Sequence, residues 1–83
     1  MLFVFEDNDA YGFWMKDMHL AIDILWLSDS GQIIGIEHSV EPDTYPAVFY
    51  APAPVRHVLE VAAGTAKSNG WDIGDAIAIP LQN

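Results

Sequence analysis

The sequence predicts an all-β domain with one short helix, folded as a small antiparallel barrel or sandwich. Short runs of apolar, β-branched and aromatic residues recur along the chain, which is typical of strands. Turn residues separate these runs, whereas a parallel α/β fold would place helices of about 10–15 residues between its strands. The 83 residues are enough for one domain, which we expect to span residues 1–83.

The composition indicates a folded, acidic and cysteine-free protein. Hydrophobic residues make up 52% of the chain and aromatic residues 12%, which favours a packed core over disorder. The absence of cysteine excludes disulfides, thiolate zinc sites and cysteine nucleophiles, but it does not select a compartment. The net charge of −9 disfavours nucleic acid and anionic membranes as partners, because both would be repelled.

The localisation stays open on the sequence alone. No stretch approaches the roughly 20 apolar residues that a membrane-spanning helix needs. Residues 1–5 lack the basic start of a signal peptide and are followed at once by two acidic residues, so no signal peptide is predicted.

Two strands are predicted in the first part of the chain. Residues 1–5 form an apolar run that indicates a buried strand, and residues 6–10 indicate a polar loop. Residues 13–18 predict a second strand with large apolar side chains on both faces. Neither face of this strand is therefore expected to be freely solvated.

A hairpin is the clearest local prediction. Residues 22–27 and 32–38 both have strand composition, and residues 28–31 between them combine Ser, Asp and Gly. Asp and Ser side chains bond to nearby backbone groups and Gly supplies a positive φ angle, as a tight turn requires.

Residues 41–54 predict a long irregular segment. Four prolines interrupt any regular ladder of hydrogen bonds, and three aromatic residues indicate that the segment packs onto the domain. Long packed loops in small domains are often functional.

The last part of the chain predicts a strand, the helix and a final strand. Residues 55–61 have strand composition. Residues 64–70 indicate a helix of one to two turns, with Gly70 as the residue after its C-terminus. Residues 76–79 predict a last strand, which Pro80 stops.

Asp23 interrupts an otherwise apolar strand, where a carboxylate is costly unless it is paired. Lys16 lies on the preceding predicted strand and is the nearest basic residue. An antiparallel turn between the two strands would place these residues nearly opposite each other. We therefore expect an ion pair, which either fixes the register of the strands or holds the lysine at the floor of a pocket.

No catalytic or metal-binding motif is evident in the sequence. The three histidines lack the spacing of a metal-binding pair, and no serine lies in a strand-turn-helix elbow. Asp23, Glu60 and Asp75 are candidates for a carboxylate pair, which needs a shared cleft to separate the two pKa values. We expect neither a metal nor a cofactor.

Several short segments together resemble one protein family. The most distinctive is Phe13-Trp14-Met15-Lys16, followed by Ile22-Asp23-Ile24, and residues 1–5, 58–60, 63–64 and 74–75 also fit. In this order they are similar to the bacterial and archaeal family called domain of unknown function 192, over essentially the whole chain. The resemblance implies a small β-rich barrel or sandwich with a short helix, and it supplies no established activity. It also implies that many relatives are exported, and that relatives usually begin with further strands and a short helical segment before the equivalent of Met1.

Three classes of function remain open. The leading hypothesis is a non-enzymatic module that binds a small molecule or a carbohydrate, because so small a core need not bury this many large aromatic residues. The aromatic residues in question are Trp14, Tyr45, Phe49, Tyr50 and Trp71. The second is a hydrolase or isomerase that uses Asp23 and Glu60 together with Lys16 or Arg56. The third is a nucleic-acid-binding barrel, because residues 69–77 resemble the glycine-aspartate turn of AbrB-like proteins, but the net charge disfavours it.

The candidate ligand-binding residues are Trp14, Lys16, Asp23, Tyr50, Arg56 and Glu60. The longer N-terminus of the resembled family also predicts an unpaired strand edge near Met1. Such an edge favours association of two copies of the chain, so a homodimer through this edge is expected.

Overall fold

A computed structural model describes residues 1–77, which form an antiparallel all-β domain with one short α-helix. The predicted fold class is therefore confirmed. The elements are strands β1 (Leu2–Asp9), β2 (Gly12–Trp14), β3 (Ile22–Leu27), β4 (Ile33–Val40), β5 (Val48–Tyr50) and β6 (Val55–Ala62), a 3-10 helix over Pro42–Thr44, and helix α1 (Thr65–Ser68).

The strands form two sheets that pack as a sandwich. Four strands make one sheet in the order β1-β6-β3-β4, and β2 and β5 make a two-stranded ribbon. Strand β3 lies inside the larger sheet and is buried along its whole length, as its apolar composition predicts.

The larger sheet has two different faces because side chains alternate along each strand. Ile24 and Trp26 of β3 point to the face that the ribbon covers, where Met15 completes the core. Leu25 and Leu27 point to the opposite face, where they pack with Ala66 of α1. We call these two sides the ribbon face and the helix face.

The predicted hairpin is confirmed as β3 paired with β4. The backbone N–H of Gly31 donates to the carbonyl of Ser28 at 2.9 Å, and Gly31 has a φ of 87°. This is the left-handed conformation that glycine adopts without a steric penalty. The return strand continues to Val40, beyond the predicted end at residue 38.

The predicted strand over residues 13–18 is wrong beyond Trp14. Strand β2 ends there because its partner β5 has only three residues. The chain then turns, with the N–H of Met18 donating to the carbonyl of Met15 at 3.1 Å. The expectation that neither face of this segment is freely solvated is also wrong, because Trp14 and Lys16 are exposed.

Strand β1 is longer and less buried than predicted. It continues through most of the segment predicted as a polar loop and ends at Asp9. The extension exists because β1 pairs with β6 up to Asp9 opposite Val55, across an irregularity in register. Phe3 packs against the core of the ribbon face, whereas Val4 is exposed.

The segment over residues 41–54 contains more regular structure than predicted. It includes the 3-10 helix and β5, which pairs with β2. Strand β5 lies between Pro46 and Pro52, so the prolines flank the ladder without interrupting it.

The elements after β5 match the predicted order. Strand β6 is confirmed, and Gly70 with a φ of 68° follows the short helix, as a residue beyond a helix C-terminus does. Of the predicted last strand, Ala76 forms an isolated bridge with Gln32, and residues 78 and 79 lie outside the described part of the chain. No helix within residues 1–77 has the length and apolar character needed to cross a bilayer.

Candidate functional site

The outer side of the β2–β5 ribbon carries the most unusual surface of the described residues. In the ribbon, Trp14 lies opposite Val48 and Tyr50 lies opposite Gly12. These side chains point away from the larger sheet, whereas Phe13 and Phe49 between them pack against its core. The alternation of side chains along two short strands therefore collects large apolar groups on a surface that faces solvent.

Three aromatic rings on this side are largely open to solvent. Trp14 is 48% exposed, Tyr45 44% and Tyr50 63%. The Tyr45 ring lies against Trp14, with ring centroids 5.2 Å apart and planes inclined by 51°. We call the surface formed by Trp14, Tyr45, Val48 and Tyr50 the aromatic surface.

Lys16 supplies the positive charge beside the aromatic surface. Its Nζ lies 5.5 Å from the centroid of the Trp14 ring, a cation–π distance. The ammonium group keeps its donors available for a ligand, because no carboxylate within residues 1–77 forms a salt bridge with it. The surface therefore offers flat apolar faces together with hydrogen-bond donors.

Gly12 makes room for the Tyr50 ring on the ribbon. A Cβ atom at position 12 would lie 2.7 Å from Tyr50 Cε1 and 2.7 Å from Val48 Cγ1. Only glycine allows the phenol ring to lie this close to the backbone of β2. The position of Tyr50 on the aromatic surface thus depends on the residue across the ribbon.

Asp23 lies on the helix face and is completely buried. Its Oδ1 accepts a hydrogen bond from the backbone N–H of Ser39 at 2.8 Å, and its Oδ2 accepts one from the N–H of Ala66 at 3.0 Å. Burial by itself raises the pKa of Asp23, but hydrogen bonds from the backbone N–H groups of Ser39, Ala66 and Gly64 outweigh it, and the pKa is lowered. The carboxylate is therefore a charged structural anchor between β4 and α1.

The predicted ion pair between Lys16 and Asp23 is wrong. Lys16 lies beside the ribbon, and Asp23 points to the opposite face of the larger sheet. The sheet separates the two groups because β2 pairs with β5 and not with β3. The buried carboxylate is stabilised by backbone N–H groups in place of a basic side chain.

The remaining charged candidates, Arg56 and Glu60, lie on β6 and do not join Asp23. Arg56 Nε lies 3.2 Å from Asp29 Oδ1, and His57 Nδ1 lies 3.4 Å from the same oxygen. Glu60 is opposite Ile24 and so belongs to the ribbon face, where burial raises its pKa. Asp23 and Glu60 point to opposite faces of the sheet, so the two carboxylates have no shared cleft.

The structure thus divides the predicted site residues into two groups. Trp14, Lys16 and Tyr50 come together on one surface, whereas the three candidates on β3 and β6 lie elsewhere. Of the other predicted aromatic residues, Tyr45 joins this surface, Phe49 packs in the core and Trp71 lies on the helix face. The contributions of Gly12 and Val48 were missed. The alternation Val48-Phe49-Tyr50 was the available signal, because it places two large residues on the side opposite Phe49.

Fold and surface together define a small antiparallel β sandwich with an exposed aromatic surface on its two-stranded sheet. The chain belongs to the family domain of unknown function 192, described as "Uncharacterized ACR", whose pattern matches residues 1–79. No curated protein matches the chain.

Two crystal structures have the same fold. One is a protein from Sinorhizobium meliloti 1021 described as a candidate transcription regulator, with 36% identity and a TM-score of 0.86. The other is a protein of unknown function from Novosphingobium aromaticivorans DSM 12444, with 25% identity and a TM-score of 0.80. Each match covers 92% of this chain, and this chain spans 58% and 54% of the two solved chains, respectively.

Proposed function

We propose that this protein is a non-enzymatic carbohydrate-binding module whose binding site is the aromatic surface. The observation that carries the proposal is the presence of three exposed aromatic rings, Trp14, Tyr45 and Tyr50, on one side of the ribbon. Exposed clusters of large apolar side chains are costly in a soluble domain and mark binding sites. Binding would remove this apolar area from water.

The chemistry of the surface suits a sugar ring. One face of a pyranose presents C–H groups that stack on an aromatic ring, and its rim presents hydroxyl groups. The Trp14 indole and the two phenol rings provide stacking faces, while the phenol hydroxyls and the Lys16 ammonium provide hydrogen-bond partners. The net charge of −9 favours a neutral glycan over an anionic one, since an anionic glycan would be repelled over long range.

A glycan array followed by titration calorimetry tests this proposal. We expect binding of neutral glycans by the wild-type protein and a loss of at least about tenfold in affinity for Trp14→Ala and Tyr50→Ala, as for central aromatic anchors of other interfaces. Ile73→Ala is the matched control, because Ile73 is exposed and lies in a turn near the other end of the chain. The proposal fails if no neutral glycan binds above background, or if the control loses as much affinity as the two variants.

A hydrolase or isomerase that relies on Asp23 and Glu60 has less support. A general acid and a general base must both reach one substrate. The two carboxylates point to opposite faces of the larger sheet, and Asp23 is committed to two backbone N–H groups. Catalysis by this pair would require the sheet to open.

Nucleic-acid binding is the alternative that the description of the Sinorhizobium meliloti relative suggests. The net charge of −9 disfavours nucleic-acid binding, since recognition of a phosphate backbone requires a cluster of basic residues. Lys16 lies in the turn after β2, Arg56 on β6 and Lys67 on α1, and Arg56 already pairs with Asp29. Retention on a heparin column at physiological salt would favour this alternative over glycan binding.

A further inference from the structure

A concave site lies on the helix face, on the other side of the larger sheet from the aromatic surface. It is an open cleft of about 570 Å³ between the end of β4 and α1. This volume falls within the range of roughly 300–1,000 Å³ that is typical of small-molecule sites. His38, Ser39, Gly64, Lys67, Trp71 and Asp72 line it.

The buried Asp23 carboxylate fixes both walls of the cleft. Its two oxygens accept hydrogen bonds from the backbone N–H of Ser39 on one wall and from that of Ala66 on the other. Ser39 has a φ of 49°, in the left-handed region that a residue with a side chain rarely adopts, so the hydrogen bond from its N–H holds an uncommon backbone conformation. Residues held in this way are often found where a structure is organised for binding.

The charges of the lining residues select the ligand. Lys67 has no carboxylate within salt-bridge distance among residues 1–77, which is notable in a protein with twelve acidic residues. His38 lines the same cleft. The Oδ1 of Asp72 is occupied by the N–H of Ile73, at 2.8 Å. The Lys67 ammonium group, which has no carboxylate partner among residues 1–77, therefore favours a ligand with one negative charge.

We propose that the cleft binds a small organic monocarboxylate whose flat apolar part packs on the Trp71 indole and whose carboxylate meets the Lys67 ammonium. The negative charges of Asp72 and of the buried Asp23 disfavour a second negative charge on the ligand, because like charges repel at short range. A phosphate dianion is a poorer match than a carboxylate for this reason. This site shares no residue with the aromatic surface, so its test does not depend on whether the protein binds carbohydrate.

Two-dimensional NMR titrations with benzoate, benzyl alcohol and inorganic phosphate test the proposal on the full chain. Benzoate and benzyl alcohol have similar shapes and differ in charge, and phosphate supplies a charge without an apolar part. We expect saturable benzoate shifts at the Trp71 indole N–H and at Lys67, with binding at least about tenfold tighter than that of benzyl alcohol or phosphate.

Two variants with the same change in charge separate the cleft from a general charge effect. Lys67→Gln should weaken benzoate binding by about tenfold or more, whereas Arg56→Gln, which removes a positive charge from β6 outside the cleft and outside the aromatic surface, should leave it unchanged. A dispersed spectrum of each variant verifies the fold. Equal binding of benzoate and benzyl alcohol, tighter binding of phosphate, shifts confined to residues outside the cleft, or equal effects of the two variants would each overturn the proposal.

Discussion

The Asp23 carboxylate accepts a hydrogen bond from the backbone N–H of Ala66, 43 positions later in the chain. This contact joins the central strand β3 to the short helix α1. A four-residue helix has little stability of its own, because nucleation of a helix is costly. A charge-assisted hydrogen bond at its first turn therefore holds it in place, and with it one wall of the cleft.

Replacing Asp23 by alanine should strongly destabilise the fold. The change removes two hydrogen bonds to a charged acceptor, each worth about 1.5–3 kcal/mol, and leaves the buried N–H of Ala66 and the partly buried N–H of Ser39 without their partner. We expect the free energy of unfolding in urea to fall by at least about 3 kcal/mol. Asp43→Ala, at an exposed position in the 3-10 helix, should leave the unfolding midpoint unchanged. A loss for Asp23→Ala no larger than that of Asp43→Ala would contradict the anchoring role.

The contribution of Asp23 should disappear in acid. Its pKa in the folded protein lies below its value in the unfolded chain, because its hydrogen bonds favour the charged form. The stabilisation is therefore complete above the unfolded-state value of about 3.9 and is lost as the pH falls through the folded-state pKa. Urea unfolding of the wild type and Asp23→Asn at pH 7 and at pH 2 should show a large difference in stability at neutral pH and a smaller one in acid. A difference that is constant with pH would rule out ionisation as its source.

Local patterns in the sequence predicted the parts of this fold that depend on neighbouring residues. The β3–β4 hairpin was predicted because turn residues and two apolar runs are adjacent in the chain. The sequence also indicated that Asp23 needs a partner, but its partners are backbone groups whose N–H donors no composition pattern reveals. The short β5 was missed because only its pairing with the distant β2 makes it a strand.

The candidate site was also predicted only in part, because the sequence shows residue types but not the pairing of distant strands. Trp14 and Tyr50 were recognised as unusual residues from their type and number. Their meeting on one surface depends on the register of the β2–β5 ribbon, which places Trp14 opposite Val48 and Tyr50 opposite Gly12. The charged residues on β3 and β6 were candidates for one site on condition that they share a cleft, and the alternation of side chains sends Asp23 and Glu60 to opposite faces.

Replacing Glu60 by glutamine should stabilise the protein at neutral pH. Burial raises the pKa of Glu60, so the folded protein binds more protons than the unfolded chain between the unfolded-state and folded-state values. The free energy of unfolding consequently falls as the pH rises through that interval. At pH 7 the charged Glu60 carboxylate destabilises the fold by its full amount. Glutamine removes the charge and keeps the shape.

Thermal unfolding measures this effect directly. A gain below about 1 kcal/mol corresponds to a rise in Tm of no more than roughly 4–8 °C for a domain of this size. The rise should be present at pH 7 and should shrink near pH 4. Glu6→Gln at an exposed position of β1 is the matched control and should change the Tm little. A lower Tm for Glu60→Gln at pH 7 would show that the carboxylate makes a favourable contact.

Replacing Gly12 by alanine should damage the aromatic surface more than the fold. The new methyl group would lie 2.7 Å from Tyr50 Cε1 and from Val48 Cγ1. Both are side-chain atoms at the solvent-facing side of the ribbon, so the Tyr50 ring can move away without disturbing the core. We expect unfolding free energy to change by less than about 1 kcal/mol, as for most surface substitutions, and affinity for neutral glycans to fall at least about fivefold. Ala63→Val adds bulk at an exposed position outside the ribbon and should change neither quantity. Unchanged glycan affinity for Gly12→Ala would mean that Tyr50 takes no part in binding.

Strand β1 is the surface through which we expect two copies of the chain to associate. It lies at an edge of the larger sheet, and no strand within residues 1–77 pairs with its outer side. The unpaired backbone groups of such an edge favour pairing with a second strand of the same kind. Sedimentation velocity over increasing protein concentration should therefore reveal a dimer. Val4→Lys places a charge at an exposed position of β1 and should shift the equilibrium to the monomer, while Leu20→Lys adds the same charge in an exposed loop and should not. A wild-type protein that stays monomeric at the highest concentration, or equal dissociation by both variants, would exclude β1 as the dimer interface.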